Sequence, residues 1–162
     1  MEKIICVCGK ICSGKSYYAN KLKEKENAVI LSCDEITKFL FNNDLGESHD
    51  DTLKRIKIYL LKKAEDIVLA GVCVILDWGF WSKDERTFIN KYFLNKNINY
   101  EWHYIDIDDK SWAKNIEERN QKILKGDDVD DYYLDEGLIK KLTSKWEEPE
   151  KDEINVRFKL KR

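Results

Sequence analysis

Lys3-Ile4-Ile5-Cys6-Val7-Cys8-Gly9-Lys10-Ile11-Cys12-Ser13-Gly14-Lys15-Ser16 is the stretch whose reading decides the fold. Five apolar residues, Ile4 to Cys8, run without a break into Gly9-x-x-x-x-Gly14-Lys15-Ser16. Such a run reads as a buried strand. The glycine, lysine and serine spacing after it reads as a phosphate-binding loop that opens a helix. Gly9 and Gly14 carry no Cβ, so successive backbone N–H groups can converge on one anion. Lys15 is spaced to reach the outer phosphates and Ser16 to ligate Mg2+ through its hydroxyl. A helix beginning there adds the positive end of its dipole. The expected nucleotide contacts are Gly9, Lys10, Ile11, Cys12, Ser13, Gly14, Lys15 and Ser16, with Tyr17 next in line. A nucleoside triphosphate is the expected ligand.

Outward from that loop, strands and helices alternate. Ser16 to Lys25 is expected to be a helix burying Tyr18, Ala19 and Leu22, and Ala28 to Leu31 a second buried strand. A helix Glu35–Phe41 is followed by a polar loop, 42–51. Leu53, Ile56, Leu60, Leu61, Ala64, Ile67 and Val68 then keep helical spacing from Thr52 to Ala70, stopped by Gly71. Val72 to Leu76 is a third strand, ending in Asp77. Ser82-Lys83-Asp84-Glu85 has the capping-box pattern, starting a helix that buries Phe88, Ile89, Tyr92 and Phe93. Tyr100 to Ile107 is a fourth strand, Ser111 to Lys125 a helix, and a further helix carries Leu138, Ile139, Leu142 and Trp146. Ile154 to Leu160 alternates apolar and polar, as a half-exposed edge strand does. Continuous apolar strands joined by helices imply a parallel sheet covered on both faces. The expectation is one α/β domain over 1–162, a three-layer α/β/α sandwich on a mainly parallel five-stranded sheet.

A net charge of −2 supplies no broad attraction to nucleic acid or to an anionic membrane. No apolar run approaches membrane-spanning length and no signal peptide is legible, so a cytoplasmic protein is expected. Of the five cysteines, Cys6, Cys8, Cys33 and Cys73 lie in or beside expected strands, where cysteine packs as a small apolar residue. Cys12 is read as an inert loop residue rather than an oxidation-sensitive thiol.

Ligands of an open parallel sheet sit beyond the carboxyl ends of its strands. Asp34 and Asp77, which end strands two and three, should therefore face the loop. Phosphoryl transfer uses one carboxylate to organise Mg2+ and another to orient and deprotonate the attacking hydroxyl. Asp77 suits the metal, with Ser16. Asp34 suits the general base, and it can also cap the helix that follows it. Arg119 falls on the apolar side of its helix with Trp112, Ile116 and Ile123, where it can meet developing phosphoryl charge. An ion pair to a strand carboxylate is the other reading of Arg119; Arg86, one turn into its helix near the expected site, suits a place in that site and an ordinary surface pair equally well. Trp78, Phe80 and Trp81 either line an acceptor pocket or pack beneath the next helix. His49 reads as solvated, His103 as packed in its strand, and Asp127, Asp128, Asp130 and Asp131 as a solvated charge run.

Gly9–Ser16, Leu31-Ser32-Cys33-Asp34, Leu76-Asp77-Trp78-Gly79-Phe80-Trp81-Ser82 with Glu85-Arg86, Arg119-Asn120, and Trp146 to Pro149 with Glu153 together resemble the AAA-type P-loop kinases. That group is similar to zeta toxins, chloramphenicol phosphotransferase and polynucleotide 5′-kinases. The resemblance implies strand order 2-3-1-4-5 and ATP- and Mg2+-dependent phosphorylation of a hydroxyl. It also implies Asp34 as base, Asp77 as second acidic position, Arg119 as lid arginine, and Pro149 near the adenine. Polynucleotide kinases resembling this group carry an arginine three residues after the base aspartate. Thr37 stands there in this chain, which turns the expectation from nucleic acid to a small-molecule acceptor. A nucleotide-binding ATPase or sensor without a separate acceptor is the alternative. Neither the acceptor's identity nor the oligomeric state is legible.

Overall fold

The computed structural model describes residues 1–127 and 131–162; Asp128 and Asp130 of the acidic run lie outside the described residues. Strand β1 (Ile4–Cys8) enters the loop and helix α1 (Lys15–Glu26), followed by β2 (Val29–Leu31) and α2 (Cys33–Phe41). Helix α3 (His49–Leu69), β3 (Val74–Gly79), α4 (Lys83–Asn95), β4 (Tyr100–Ile107), α5 (Asp109–Leu124), α6 (Glu136–Ser144) and β5 (Val156–Leu160) complete the order. The sheet runs β2-β3-β1-β4-β5, and every pairing is parallel. That is the expected order, with a parallel edge strand at each side.

Strand β1 lies at the centre, and all five of its residues have no solvent exposure. Alternate side chains serve opposite layers. Ile4, Cys6 and Cys8 pack with Leu61 and Ala64 of α3 and with Ile89 and Phe93 of α4. Ile5 and Val7 pack against Ala19 and Leu22 of α1. Burying several aliphatic side chains at roughly 1.5–3 kcal/mol each on both faces makes β1 the stable floor beneath the loop.

Helix starts follow local chemistry. Ser32, Ser82, Asp108 and Asp135 accept N–H bonds from Glu35, Glu85, Ser111 and Leu138 respectively. These side-chain oxygens satisfy donors that a first turn leaves free. Gly71, at φ 87°, ends α3, and Val72 N–H returns to the Ile67 carbonyl.

Four local expectations need correction. Residues 42–51 are not one loop, because α3 begins at His49; three acidic residues and a serine near its start favour a helix N-terminus that their polarity had disguised. Strand β2 is an edge strand with Val29 39% exposed, not a buried one. Phe88 is 53% exposed, since α4 turns Ile89 and Phe93 inward instead. Arg86, read as an even candidate for a surface pair, is fully buried.

Candidate active site

The Gly9–Ser16 loop connects the central strand to α1, and its shape rests on close approach. A Cβ at Gly9 would lie 2.6 Å from Ser13 Oγ, and one at Gly14 would lie 2.8 Å from a Leu160 methyl. Gly14 also sits at φ 90°, a left-handed conformation costly for other residues. Cys12 adopts φ 56°, so the loop folds back on itself at two points. Gly9 N–H donates to the Gly79 carbonyl at 3.1 Å.

Helix α5 holds the outer side of the loop. Trp112 Nε1 donates to the Ile11 carbonyl at 2.7 Å, and Asn115 Nδ2 to the Cys12 carbonyl at 2.9 Å. Lys10 Nζ lies 3.8 Å from the Trp112 ring centroid. With the Ile11 and Cys12 carbonyls drawn outward, the loop can turn its N–H groups toward its concave side. Ser13 Oγ is fully buried and has no hydrogen-bond partner among the described residues. An orphaned buried hydroxyl of this kind calls for an explanation.

Lys15 Nζ donates to the Lys10 carbonyl at 2.9 Å, which stretches the side chain across the loop. Burial lowers its pKa, and the charges of Asp77 and Asp34 pull it back up. Ser16 Oγ donates to Asp77 Oδ2 at 2.8 Å, joining the start of α1 to the end of β3. Burial raises the Asp77 pKa, while the Ser16 bond and Lys15 oppose that rise. Hydroxyl and carboxylate oxygens side by side are the donor set of a hard divalent cation. Among the described residues no group of three or more His, Cys, Asp or Glu could hold a metal by itself. Mg2+ characteristically takes one or two protein oxygens and completes its shell with phosphate and water, so Ser16 and Asp77 fit it.

Asp34 occupies the first turn of α2 and is solvent-exposed. The cap of that helix is Ser32, not Asp34. Both Asp34 oxygens are thereby spared the capping bond. Its charge is felt by Lys15, Asp77 and Tyr132.

Arg119 projects from α5 toward the loop, with Nη1 3.7 Å from Cys12 Sγ. Nη2 pairs with Asp131, and the guanidinium carbon lies 5.0 Å from the Tyr132 ring centroid. Asp131 is therefore an ion-pair partner rather than part of a purely solvated run. Burial raises the Cys12 thiol pKa, and Arg119 beside it opposes that rise.

Tyr17 is 55% exposed on α1 and stacks its ring under Lys21. Pro149 is buried, and the bonds of its neighbours run to Trp81, Tyr104 and Lys83 rather than to the phosphate loop. The aromatic run after Asp77 packs more than it lines. Trp78 Nε1 donates to the Leu31 carbonyl at 3.1 Å, and Phe80 is fully buried between Trp78 and Trp102. Arg86 supports that turn from beneath, donating to the Phe80 carbonyl at 2.9 Å and to Glu153 at 3.0 Å. His103 is packed as expected, bridging Tyr18 and Glu101, and His49 is exposed.

Gly79, Trp112 and Asn115 were not singled out from sequence as loop supports. Trp112, Asn115 and Arg119 do recur at i, i+3 and i+7, one helix face; that spacing is the signal that could have found the two helix residues. Gly79 offered none, because its role depends on a strand irregularity between Val7 and Cys8 in the β1–β3 pairing.

A family model described as an AAA domain matches residues 4–140. No curated protein matches the chain in sequence. Among solved structures, a putative kinase from Chloroflexus aurantiacus is similar with a TM-score of 0.72 and 15% identity, over 98% of this chain and 87% of that one. The Mycobacterium tuberculosis APS kinase CysC, in complex with AMPPNP and APS, gives 0.66 and 20%, over 99% and 90%. A sugar kinase from Janibacter gives 0.64 and 13%, over 98% and 86%. At those identities the likeness is one of fold.

Proposed function

This chain belongs to the AAA domain family, and on that premise we propose that it is an ATP-dependent phosphotransferase acting on a hydroxyl of a small-molecule acceptor. The observation that supports the reading is the Ser16–Asp77 bond beside the loop that Lys15 spans, with the Asp34 carboxylate, in the first turn of α2, free of the capping bond that Ser32 makes. A site that only holds nucleotide does not require a second carboxylate, whereas one that transfers a phosphoryl group uses it to orient the nucleophile.

In this reading the loop N–H groups and Lys15 bind the phosphates of ATP. Ser16 and Asp77 would hold Mg2+, which supplies charge neutralisation at the phosphates. Asp34 orients the acceptor hydroxyl and accepts its proton as the new oxygen–phosphorus bond forms. The bond between the γ-phosphorus and the bridging oxygen of ADP breaks, and ADP leaves with that electron pair. Arg119 meets the charge on the transferring group from the α5 side. The fold likeness to the M. tuberculosis APS kinase, whose structure holds AMPPNP and APS, supports a nucleotide placed beside a small acceptor.

The test uses γ-labelled ATP with Mg2+, wild type and Asp34→Asn, and a metabolite extract, an antibiotic panel and a 5′-hydroxyl oligonucleotide as acceptors. Label in a new small molecule with wild type only is the expected result. Label in the oligonucleotide would move the acceptor to nucleic acid. Inorganic phosphate released equally by both proteins would make the chain an ATPase or sensor and remove Asp34 from its role.

A further inference from the structure

Arg119 is paired along one edge and empty along another. Its Nη2 engages Asp131, its Nη1 faces Cys12 in the phosphate loop, and its Nε is buried with no hydrogen-bond partner among the described residues. Buried donors are nearly always satisfied, so a guanidinium whose Nε–H is left open is set up for an acceptor that arrives later. The segment carrying Asp131 is not left to find its own place. Asn120, next to Arg119, donates from Nδ2 to the Leu134 carbonyl at 2.9 Å and accepts from Leu134 N–H at 2.8 Å. Leu134 is 2% exposed, so this reciprocal pair seats the segment on α5 with an apolar anchor. Tyr132 then lies against the guanidinium, 5.0 Å from ring centroid to guanidinium carbon.

From this arrangement we propose that Asp131 is a positioning residue, whose carboxylate fixes one edge of the Arg119 guanidinium so that the other edge meets the phosphoryl group in transfer. The inference rests on the phosphotransferase reading above. A long arginine side chain reaches a phosphoryl group from many rotamers; a carboxylate on its far edge removes most of them before the reaction. Arg119 and Asn120, adjacent in sequence, then divide the work: the first reaches the loop, and the second docks the strand of chain that aims it.

Binding separates a positioning role from a structural one. ADP alone and ADP with aluminium fluoride, which stands in for the transferring phosphoryl group, are titrated in the presence of Mg2+ while tryptophan emission is followed. Trp112, bonded to the loop, is the reporter. Asp131→Ala is expected to bind ADP about as wild type does and to lose about a hundredfold for ADP with aluminium fluoride, the loss typical of a misplaced reacting geometry. Asp131→Asn, whose amide oxygen still accepts from Nη2, recovers most of that loss. In an Arg119→Ala background, Asp131→Ala changes neither affinity. Equal weakening of both ligands, an unchanged affinity for ADP with aluminium fluoride, or a persisting effect without Arg119 would each overturn the proposal. A wild-type protein that binds neither ligand overturns the nucleotide reading itself, and the role of Asp131 falls with it.

Discussion

Ser16 Oγ and Asp77 Oδ2 lie 2.8 Å apart although 61 residues separate them in the chain. Helix α1 and strand β3 are joined there, at the edge of the phosphate loop. Burial raises the Asp77 pKa, so its charged form is held at a cost that the Ser16 bond and Lys15 only partly offset. A raised folded-state pKa means the group favours folding below its ordinary value and opposes it as pH rises. Asp77→Asn keeps an acceptor for Ser16 and removes the buried charge. Thermal denaturation at pH 7 should therefore show equal or greater stability, while the Mg2+ concentration needed for half-maximal phosphoryl transfer rises. A clear drop in melting temperature with unchanged Mg2+ dependence would count against the metal role.

Lys15→Ala should abolish measurable use of the γ-phosphate while leaving the circular dichroism of the fold intact. The Lys15 ammonium spans the loop to the Lys10 carbonyl and makes no other side-chain bond among the described residues. Turnover equal to wild type would refute the phosphate-loop assignment.

Arg119→Ala should slow transfer by about three orders of magnitude, the lower range for arginines that stabilise a phosphoryl transition state. The comparison is single-turnover rate at saturating ATP. A loss below about tenfold would leave Arg119 as the ion-pair partner of Asp131 alone.

Gly14→Ala should destabilise the protein and disorder the loop together. Left-handed backbone costs an alanine about 1–2 kcal/mol, and the new methyl would meet Leu160 of β5 at 2.8 Å. Urea denaturation measures the first effect and nucleotide titration the second. A variant with wild-type values in both would show that the loop tolerates another shape.

Stability should fall as pH drops from about 7.5 to 5, through His103. Burial lowers its pKa from 6.5, with the Glu101 bond opposing that shift. The unfolded chain therefore binds the proton more readily than the folded one, and stability present above about 6.5 is lost on acidification. Glu101, whose pKa the His103 and Lys3 bonds bring down against the effect of burial, responds only below its ordinary 4.5. Urea midpoints at the two pH values should differ in wild type and converge in His103→Gln. An equal difference in both would place the titration elsewhere.

The phosphate loop and the alternation of strands and helices were legible because each is a local pattern, and so was Asp77 in the third strand; Asp34, read as a strand end, stands instead in the first turn of α2. A buried strand must be apolar along its length, a capped helix must begin with an oxygen-bearing residue, and a loop that wraps phosphate must bring glycines at set positions. Those requirements act over a few residues and leave their mark in order. Arg119 was legible for the same reason, since helical spacing put it on the apolar side of α5.

What the tertiary structure decided are relations with no sequence spacing of their own. Gly79 and Gly9 meet because β1 and β3 are neighbours. Trp112 and Asn115 hold loop carbonyls about a hundred residues away, and Asn120 seats Leu134 so that Asp131 reaches Arg119. Arg86 is buried, not exposed, because Glu153 and the Phe80 carbonyl converge on it from distant elements. A charged side chain is tolerated inside only where partners from other parts of the chain arrive. Local composition fixes which elements form; the packing of those elements fixes which of their side chains share a site.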